Sequence, residues 1–242
     1  MSSQVAPGKP RPRTGQGPAR EVIVEWMSAQ RWERRSVAID GLAGTGKSTL
    51  ARALASRLGL TFLDTGATYR GIALVAMEEG ADLSDGQAVV DAWGGRVLGI
   101  SAGRLTIDGE DREEAIRTAS VSESASRIAV HPQVRKMLAE WQRGFVEANG
   151  GAVAEGRDIG TVVLPEAGLK VFLVARDEVR SSRRGEVTAA ELAKRDIRDA
   201  TRRADPVRAA EDAVVLDTSE REVGELVGEL AGIYWLTVGG EG

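Results

Sequence analysis

The chain has 242 residues, of which 42% are hydrophobic and 28% charged, and its formal net charge at pH 7 is −4. This composition is typical of a globular protein with one substantial core, and the slightly acidic balance argues against a general affinity for nucleic acid. There is no cysteine, which excludes disulfides, thiolate metal sites and cysteine nucleophiles, and no apolar run approaches the length of a membrane span. We expect a cytoplasmic protein with neither a nucleic-acid nor a membrane partner.

The N-terminal segment differs in composition from the rest of the chain. Residues 1–20 contain four basic residues and no acidic ones, together with several prolines and glycines, and they lack the apolar stretch of a secretory signal peptide. We expect residues 1–34 to form a disordered basic tail and residues 35–242 to form the folded domain. Met27 offers a second possible start of the natural protein.

From Ser36 onward, apolar strands alternate with helices. The strand SVAID leads through a glycine-rich bend into a helix from Ser48 to Leu58, and Gly59 is suited to end that helix. The strand LTFLD follows, and then the helix GIALVAMEE, which ends at Gly80. This alternation predicts strand–helix–strand units.

The middle of the chain interrupts that alternation. Between Arg96 and Asp108 the hydrophobic period becomes that of two short strands around a Ser-Ala-Gly turn, which predicts a hairpin. The segment 131–150 reads as a long helix with an apolar stripe formed by Val134, Leu138, Trp141 and Phe145. Further apolar strands are predicted at 151–155, 169–175 and 213–218. The predicted class is α/β, a parallel sheet with helices on both faces and a small inserted lobe.

The glycine-rich bend matches a phosphate-binding pattern. Gly41 to Ser48 read G-x-x-x-x-G-K-S, and they lie between a strand and a helix as that pattern requires. The loop N–H groups and the helix start can hold phosphates, Lys47 adds a charge near the transferred group, and the Ser48 hydroxyl can bind Mg²⁺ together with the nucleotide. The sequence predicts a nucleoside triphosphate site formed by Gly41, Leu42, Ala43, Gly44, Thr45, Gly46, Lys47, Ser48 and Thr49.

Three further places could bind a second anionic substrate. Thr65 and Arg70 lie where a strand meets a helix, although Thr65 could be only a helix cap. Arg157 and Asp158 follow a strand, at the sheet edge where ligands bind in open α/β folds, although the two could simply form an ion pair. A charged run near the C-terminus has Arg195, Asp199 and Arg202 on one helix face, although such a run, taken alone, is more typical of a solvated surface helix.

These motifs together resemble the bacterial cytidylate kinase family, nucleoside monophosphate kinases of the P-loop class. The matching phrases, in chain order, are AIDGLAGTGKST, LDTGATYR, IRT, ASRIAVHPQVR, AEGRDIGTVVLP, RDIRDATR and DAVVLDTS. The DGFPR-type motif of adenylate kinases is missing, as are the N-K-x-D motif of GTPases and the L-S-G-G-Q signature of transporter ATPases. The resemblance implies a P-loop kinase core, an inserted lobe for the nucleoside monophosphate at about residues 66–150, and a short lid at about 178–198.

The resemblance also implies roles for individual residues. Those at or near the phosphate of CMP are Thr65, Arg70, Arg157, Arg195 and Arg202. Those that read the cytosine are Ser126, Arg135 and Asp158, and Asp199 holds the sugar. The residues expected to act in catalysis are Lys47, Arg157 and Arg195. The lid would contribute Arg180, Arg183 and Arg184.

The lid region departs from the family pattern. Only residues 185–194 separate EVRSSRR from the charged run, fewer than the family usually has. A short lid could close less completely, slow the transfer or permit ATP hydrolysis. The expected activity is Mg²⁺-dependent phosphoryl transfer from ATP to CMP and dCMP by a monomer. The alternatives are a kinase for another small acceptor, such as UMP or shikimate, and a low-activity nucleotide-binding protein.

Overall fold

The computed structural model describes residues 31–101, 103–184, 196–197, 205 and 207–238. The chain enters the fold through a turn at residues 31–35, where Trp32 packs against the core. The Ser36 hydroxyl donates to the Trp32 carbonyl at 2.7 Å, and the Tyr234 hydroxyl donates to the Arg35 carbonyl at 2.8 Å. These residues therefore belong to the folded domain. The rest of the expected tail lies outside the described residues.

The described chain forms strands and helices in alternation, with one cluster of short strands. The strands are β1 (Val37–Gly41), β2 (Thr61–Asp64), β3 (Leu98–Ser101), β4 (Arg104–Ile107), β5 (Glu110–Asp111), β6 (Ala152–Gly156), β7 (Leu169–Val174) and β8 (Val214–Asp217). The helices are α1 (Lys47–Leu58), α2 (Thr65–Glu78), α3 (Gly86–Trp93), α4 (Ala119–Ile128), α5 (Pro132–Ala148), α6 (Asp177–Arg184) and α7 (Val223–Thr237). A 3-10 turn spans Ala115–Arg117, and a π-helical turn spans Ile159–Val163.

Five of the strands form one parallel sheet in the order β2-β6-β1-β7-β8. Side chains of β1 alternate between its two faces. Val37 and Ile39 pack in one core cluster with α1 and α7, whereas Ala38 packs in another with Val146 of α5. The α/β class with helices on both faces is therefore confirmed. Because the strands are parallel, β1, β2 and β6 bring their carboxyl ends together at one edge of the sheet.

The ends of the first two helices follow from local chemistry. Helix α1 ends at Gly59, which adopts a left-handed φ of +69° as the sequence predicted. Helix α2 begins differently from the expectation, because its cap is Asp64 and not Thr65. The Asp64 side chain accepts the N–H of Ala67 at 2.8 Å, so Thr65 is already the first helical residue.

The inserted lobe consists of α2 to α5 and a separate antiparallel sheet in the order β3-β4-β5. The predicted hairpin is confirmed as β3 and β4, and the short β5 adds a third strand. The lobe has its own apolar core, in which Ile72 of α2 and Leu105 of β4 are buried together with Ile128 of α4. The lobe therefore packs around a core of its own beside the main sheet.

Helix α5 connects the lobe to the main sheet. Val134 and Leu138 of the predicted stripe are buried in the lobe core, and Val146 reaches the core under the sheet. Trp141 and Phe145 are only partly buried and stack on each other with ring centroids 5.4 Å apart. The stripe is thus apolar packing, and the helix fixes the lobe relative to the strand ends.

Candidate active site

The loop between β1 and α1 has a backbone that favours glycine. Its glycines, Gly41, Gly44 and Gly46, have φ values of +146°, +78° and +87°. A β-carbon on Gly41 would lie 2.4 Å from the Leu173 carbonyl oxygen, and one on Gly44 would lie 2.6 Å from the Arg180 carbonyl oxygen. Among the described residues, no side chain caps the start of α1. The positive helix end is therefore suited to an anion.

Lys47 and Ser48 stand in the first turn of α1. Lys47 is buried, and its Nζ donates to the Leu42 carbonyl at 2.7 Å. The Ser48 hydroxyl donates to Oε1 of Glu155, which is the residue before the end of β6. Burial raises the pKa of Glu155, and the nearby Asp64 carboxylate adds to the rise, while Lys47 opposes it. A hydroxyl and a carboxylate beside a phosphate loop are the oxygen ligands that Mg²⁺ prefers.

Asp40, the fourth residue of β1, anchors the loop that follows β6. Its carboxylate accepts the N–H groups of Ile159 and Gly160, each at 2.7 Å. Burial raises the pKa of Asp40 to about 6, although these two hydrogen bonds oppose the rise. Because the preceding residues of that loop are Arg157 and Asp158, Asp40 fixes the backbone that carries both side chains.

Arg135 of α5 and Asp158 form a buried ion pair at the back of the site, with side chains that are 6% and 8% exposed. A second carboxylate, Asp205, accepts from Nε of Arg135 at 3.0 Å and from its NH2 at 2.9 Å. Burial opposes the charged guanidinium, but Tyr69 and Asp158 outweigh it and raise the pKa of Arg135. The pair places a carboxylate acceptor beside guanidinium donors, a combination that can bind a polar ligand edge.

Arg157 and Arg70 bring positive charge to the space between these two regions. Arg157 donates to the Gly41 carbonyl at 3.0 Å, so it lies against the phosphate loop. Arg70 pairs with Asp64 at 2.9 Å, while the Thr65 hydroxyl donates to the Glu155 carbonyl at 2.7 Å. Burial works against ionisation of Asp64, but Arg70 and Arg117 outweigh it and the pKa of Asp64 is lowered.

A single open cleft of about 760 Å³ joins the two regions. The loop lines one end, and the Arg135–Asp158 pair lines the other. Thirteen residues that the sequence predicted for the site line this cleft, namely Gly44, Thr45, Gly46, Lys47, Ser48, Thr49, Thr65, Arg70, Ser126, Arg135, Arg157, Asp158 and Arg183. Residues far apart in the chain therefore meet on one surface, with the phosphate-loop motif at one end and the buried Arg135–Asp158 ion pair at the other.

Several known proteins are similar to this chain in sequence. The profile of the cytidylate kinase family matches residues 37–234. The cytidylate kinase of Rhodococcus opacus is 43% identical over 210 residues, which cover 80% of this chain and 92% of that protein. The cytidylate kinase of Solibacter usitatus is 41% identical over 215 residues, which cover 83% of this chain and 92% of that protein.

The chain belongs to the cytidylate kinase family. The family resemblance that the sequence motifs carried is therefore confirmed. Among solved structures, a gluconokinase from Sinorhizobium meliloti is similar at 15% identity, with a TM-score of 0.46 over 86% of this chain and 95% of that one. Within the described ranges, none of the helices is both long and apolar enough to cross a bilayer.

The lid residues expected of a cytidylate kinase are only partly described. Arg195, Asp199, Arg202 and the side chain of Arg184 lie outside the described residues. Arg183 lines the cleft, and its NH1 and NH2 donate to the Thr218 hydroxyl and carbonyl at 3.0 and 2.7 Å. Arg180 is buried beside the loop instead, where its Nε donates to the Ala43 carbonyl at 2.8 Å. Arg180 thus supports the phosphate loop.

Three carboxylates of this site, Asp40, Asp64 and Glu155, were not predicted from the sequence. Each stands near the carboxyl end of a strand, in β1, β2 and β6. Those three strands lie side by side in the sheet, in the order β2-β6-β1. An acidic residue near the end of an apolar strand was the available signal. The partners of these residues could not be read from the sequence, because each contacts a segment remote in the chain or a backbone N–H group of a turn.

Proposed function

We propose that this chain transfers the γ-phosphoryl group of ATP to CMP and dCMP, giving ADP with CDP or dCDP. Membership of the cytidylate kinase family is one support. The observation that carries the proposal is the single cleft, which has a phosphate loop with Lys47 at one end and a buried Arg135–Asp158 pair at the other. Such a cleft can hold two nucleotides with their phosphates facing each other.

The reaction needs positioning and charge neutralisation more than a covalent step. The γ-phosphoryl group moves in line from ATP to the CMP phosphate, and negative charge spreads over its oxygens in the transition state. Lys47 and Arg157 would stabilise that charge, because both line the cleft and each donates to a carbonyl of the phosphate loop. Arg70 would bind the acceptor phosphate and so hold it in line with the donor.

Mg²⁺ is the cofactor of the proposed reaction. Ser48 and Glu155 would hold it beside the ATP phosphates, since the two oxygens are already hydrogen-bonded to each other. The metal supplies further neutralisation of the phosphate charge. Among the described residues, no group of three or more His, Cys, Asp or Glu side chains forms a metal site by itself. The nucleotide phosphates would therefore supply the other ligands.

Base selection would rest on Arg135 and Asp158. Cytosine presents an amino donor next to ring and carbonyl acceptors, which suits a carboxylate beside a guanidinium. Uracil presents a carbonyl in place of the amino group, and that carbonyl would face Asp158 without a donor. We further propose a cytoplasmic monomer that acts in pyrimidine nucleotide metabolism and does not bind nucleic acid.

An acceptor panel tests the proposed function. ADP formation would be measured with ATP, Mg²⁺ and, in turn, CMP, dCMP, UMP, AMP and shikimate. We expect turnover with CMP and dCMP, and much less with the other acceptors. Transfer to shikimate or UMP with CMP inert would instead indicate another small-molecule kinase. Binding of ATP and CMP without turnover would indicate a nucleotide-binding protein that is not an enzyme.

A further inference from the structure

Arg143 is a partly buried arginine of α5 that is not among the residues lining the cleft. Its Nε donates to the Val163 carbonyl at 2.9 Å, and its Nη2 donates to the Val162 carbonyl at 2.6 Å. These two carbonyls belong to the last residues of the π-helical turn that follows β6. A guanidinium that binds consecutive terminal carbonyls in this way closes the end of a helical turn.

The π-helical turn is an uncommon backbone conformation, and such turns occur frequently at functional sites. Its hydrogen bonds span five residues. The Leu164 N–H donates to the Ile159 carbonyl at 2.7 Å, and the Val163 N–H donates to the Asp158 carbonyl at 3.3 Å. Because a single turn has so few internal hydrogen bonds, contacts from outside the turn must hold its conformation.

Groups of opposite charge hold the two ends of this turn. At its start, the Asp40 carboxylate accepts the N–H groups of Ile159 and Gly160. At its end, the Arg143 guanidinium donates to the last two carbonyls. A negative group at the start and a positive group at the end is the arrangement that a helix dipole favours. Removal of Arg143 would therefore leave the end of the turn without its charged partner.

The turn begins directly after Arg157 and Asp158, which line the cleft. Arg157 donates to the Gly41 carbonyl at 3.0 Å, whereas Asp158 pairs with Arg135 of α5. Arg135 and Arg143 are eight residues apart on α5, about 12 Å along the helix axis. Helix α5 thus holds this segment both before the turn and at its end. A displaced turn would redirect the two cleft side chains that precede it.

We propose that Arg143 is a positioning residue, which sets the directions of Arg157 and Asp158 by holding the end of the π-helical turn. This inference rests on the proposed function, in which Arg157 serves phosphoryl transfer and Asp158 serves base selection. Arg143 itself would touch neither nucleotide. If Arg143 only joined α5 to the sheet, its loss would lower stability and leave the kinetics of the folded protein unchanged.

Steady-state kinetics of R143M test this inference, because methionine keeps an apolar stem but donates no hydrogen bond. ADP formation would be measured with CMP and with UMP as acceptors. We expect kcat/KM for CMP to fall about 10- to 100-fold, as for a small displacement of groups that act on the substrate. The preference for CMP over UMP should fall about tenfold, because Asp158 would no longer face the base in a fixed direction. KM for ATP should stay close to the wild-type value.

R96M is the matched control. Arg96 makes the same kind of contact at the end of α3, where its Nη1 donates to the Ala92 and Trp93 carbonyls at 2.8 and 3.1 Å, and it does not line the cleft. We expect R96M to have a lower melting temperature but wild-type kcat/KM and preference for CMP. Amide hydrogen exchange reports on the turn directly. Exchange in residues 157–164 should be faster in R143M and unchanged in R96M.

R143K is a second variant, which decides the question if R143M does not fold. A lysine ammonium lacks the planar fork of the guanidinium, so it would hold only one of the two carbonyls. We expect smaller changes in the same direction, both in exchange and in kcat/KM for CMP. Wild-type kinetics in a folded Arg143 variant, or unchanged exchange in residues 157–164, would overturn the inference. Wild-type protein without CMP turnover would overturn the proposed function, and this inference with it.

Discussion

The two ends of the cleft are built in different ways. The donor end is one continuous segment, residues 41–49, which offers backbone N–H groups and a helix start. The acceptor end gathers side chains from α2, α4, α5 and the loop after β6, and buried or half-buried carboxylates such as Asp40 and Asp64 orient that loop and those side chains. A local motif can hold a phosphate, whereas the base recognition that we propose would need the whole fold. We therefore expect substitutions at the phosphate-loop end to reduce catalysis, and substitutions at the other end to change stability or affinity.

Replacing Lys47 by Ala should have the largest effect on activity. The substitution removes the charge that would stabilise the migrating phosphoryl group, so kcat for CMP-dependent ADP formation should fall on the order of 10²- to 10³-fold. Steady-state assays with saturating ATP and CMP measure this. Lys170→Ala is the control, because Lys170 pairs with Asp212 outside the cleft. An unchanged kcat in the Lys47 variant would contradict its assigned role.

Replacing Arg135 by Leu should have the largest effect on stability. The change leaves the buried Asp158 carboxylate without its cation, which should lower the free energy of unfolding by about 3–5 kcal/mol. Urea denaturation measures the difference. The control, Arg104→Leu, breaks an exposed pair with Asp111 in the lobe and should change stability little. Equal effects of the two substitutions would show that the acceptor end does not depend on its buried pair.

Replacing Gly44 by Ala should disturb the loop by steric contact and not only by backbone strain. The new β-carbon would meet the Arg180 carbonyl oxygen at 2.6 Å, so the loop must move and ATP affinity should fall about tenfold or more. Gly59→Ala is matched to it, because φ is also positive there and nothing lies within 4 Å of the added atom. That variant should lose only about 1–2 kcal/mol of stability and keep its ATP affinity. Calorimetry with ATP distinguishes the two.

Replacing Asp40 by Asn should have the smallest effect, a change in the pH profile of kcat/KM for CMP. Below its pKa of about 6, a neutral carboxyl is a weaker acceptor for the Ile159 and Gly160 N–H groups. The loop with Arg157 and Asp158 should loosen, and kcat/KM for CMP should fall as pH decreases through 6. The phosphate of CMP also titrates near pH 6, so Asp40→Asn is compared with the wild type. In the variant, kcat/KM for CMP should have a lower plateau above pH 6. Below pH 6 it should fall only because the CMP phosphate becomes protonated.

The effect of Asp40 on stability has the opposite sign. Its folded-state pKa is raised from 3.8 to about 6, so the native state binds this proton more tightly than the unfolded chain does. The ionised, buried carboxylate is a cost above pH 6, and that cost is relieved as pH falls from 6 towards 4. Stability measured at pH 8 and pH 5 should therefore differ by more in Asp40→Asn than in the wild type if acid is otherwise destabilising. Parallel pH dependence in both proteins would contradict the raised pKa.

Features that depend on residues close together in the chain could be predicted from the sequence, and contacts between distant residues could not. Helix α1, its end at Gly59 and the β3–β4 hairpin depend on neighbouring residues, and these predictions are confirmed. The cap of α2 was predicted one residue late, because Asp64 and Thr65 are both good caps and the strand pairing decides where the helix starts. The Arg157–Asp158 neighbours were offered as a possible ion pair, but Asp158 pairs with Arg135, which lies 23 residues earlier.

The sequence by itself determined the phosphate-loop motif, the family and many of the strands and helices, since each depends on patterns within short segments, but it did not predict the helices Gly86–Trp93 and Ala119–Ile128 or the short strand Glu110–Asp111. It could not say that Asp64 would hold Arg70 and Arg117 together, or that Asp40 would anchor the loop after β6. Only the sheet order β2-β6-β1, which brings distant strand ends side by side, decides those contacts. Burial then makes each contact specific, because a carboxylate removed from water must find a partner.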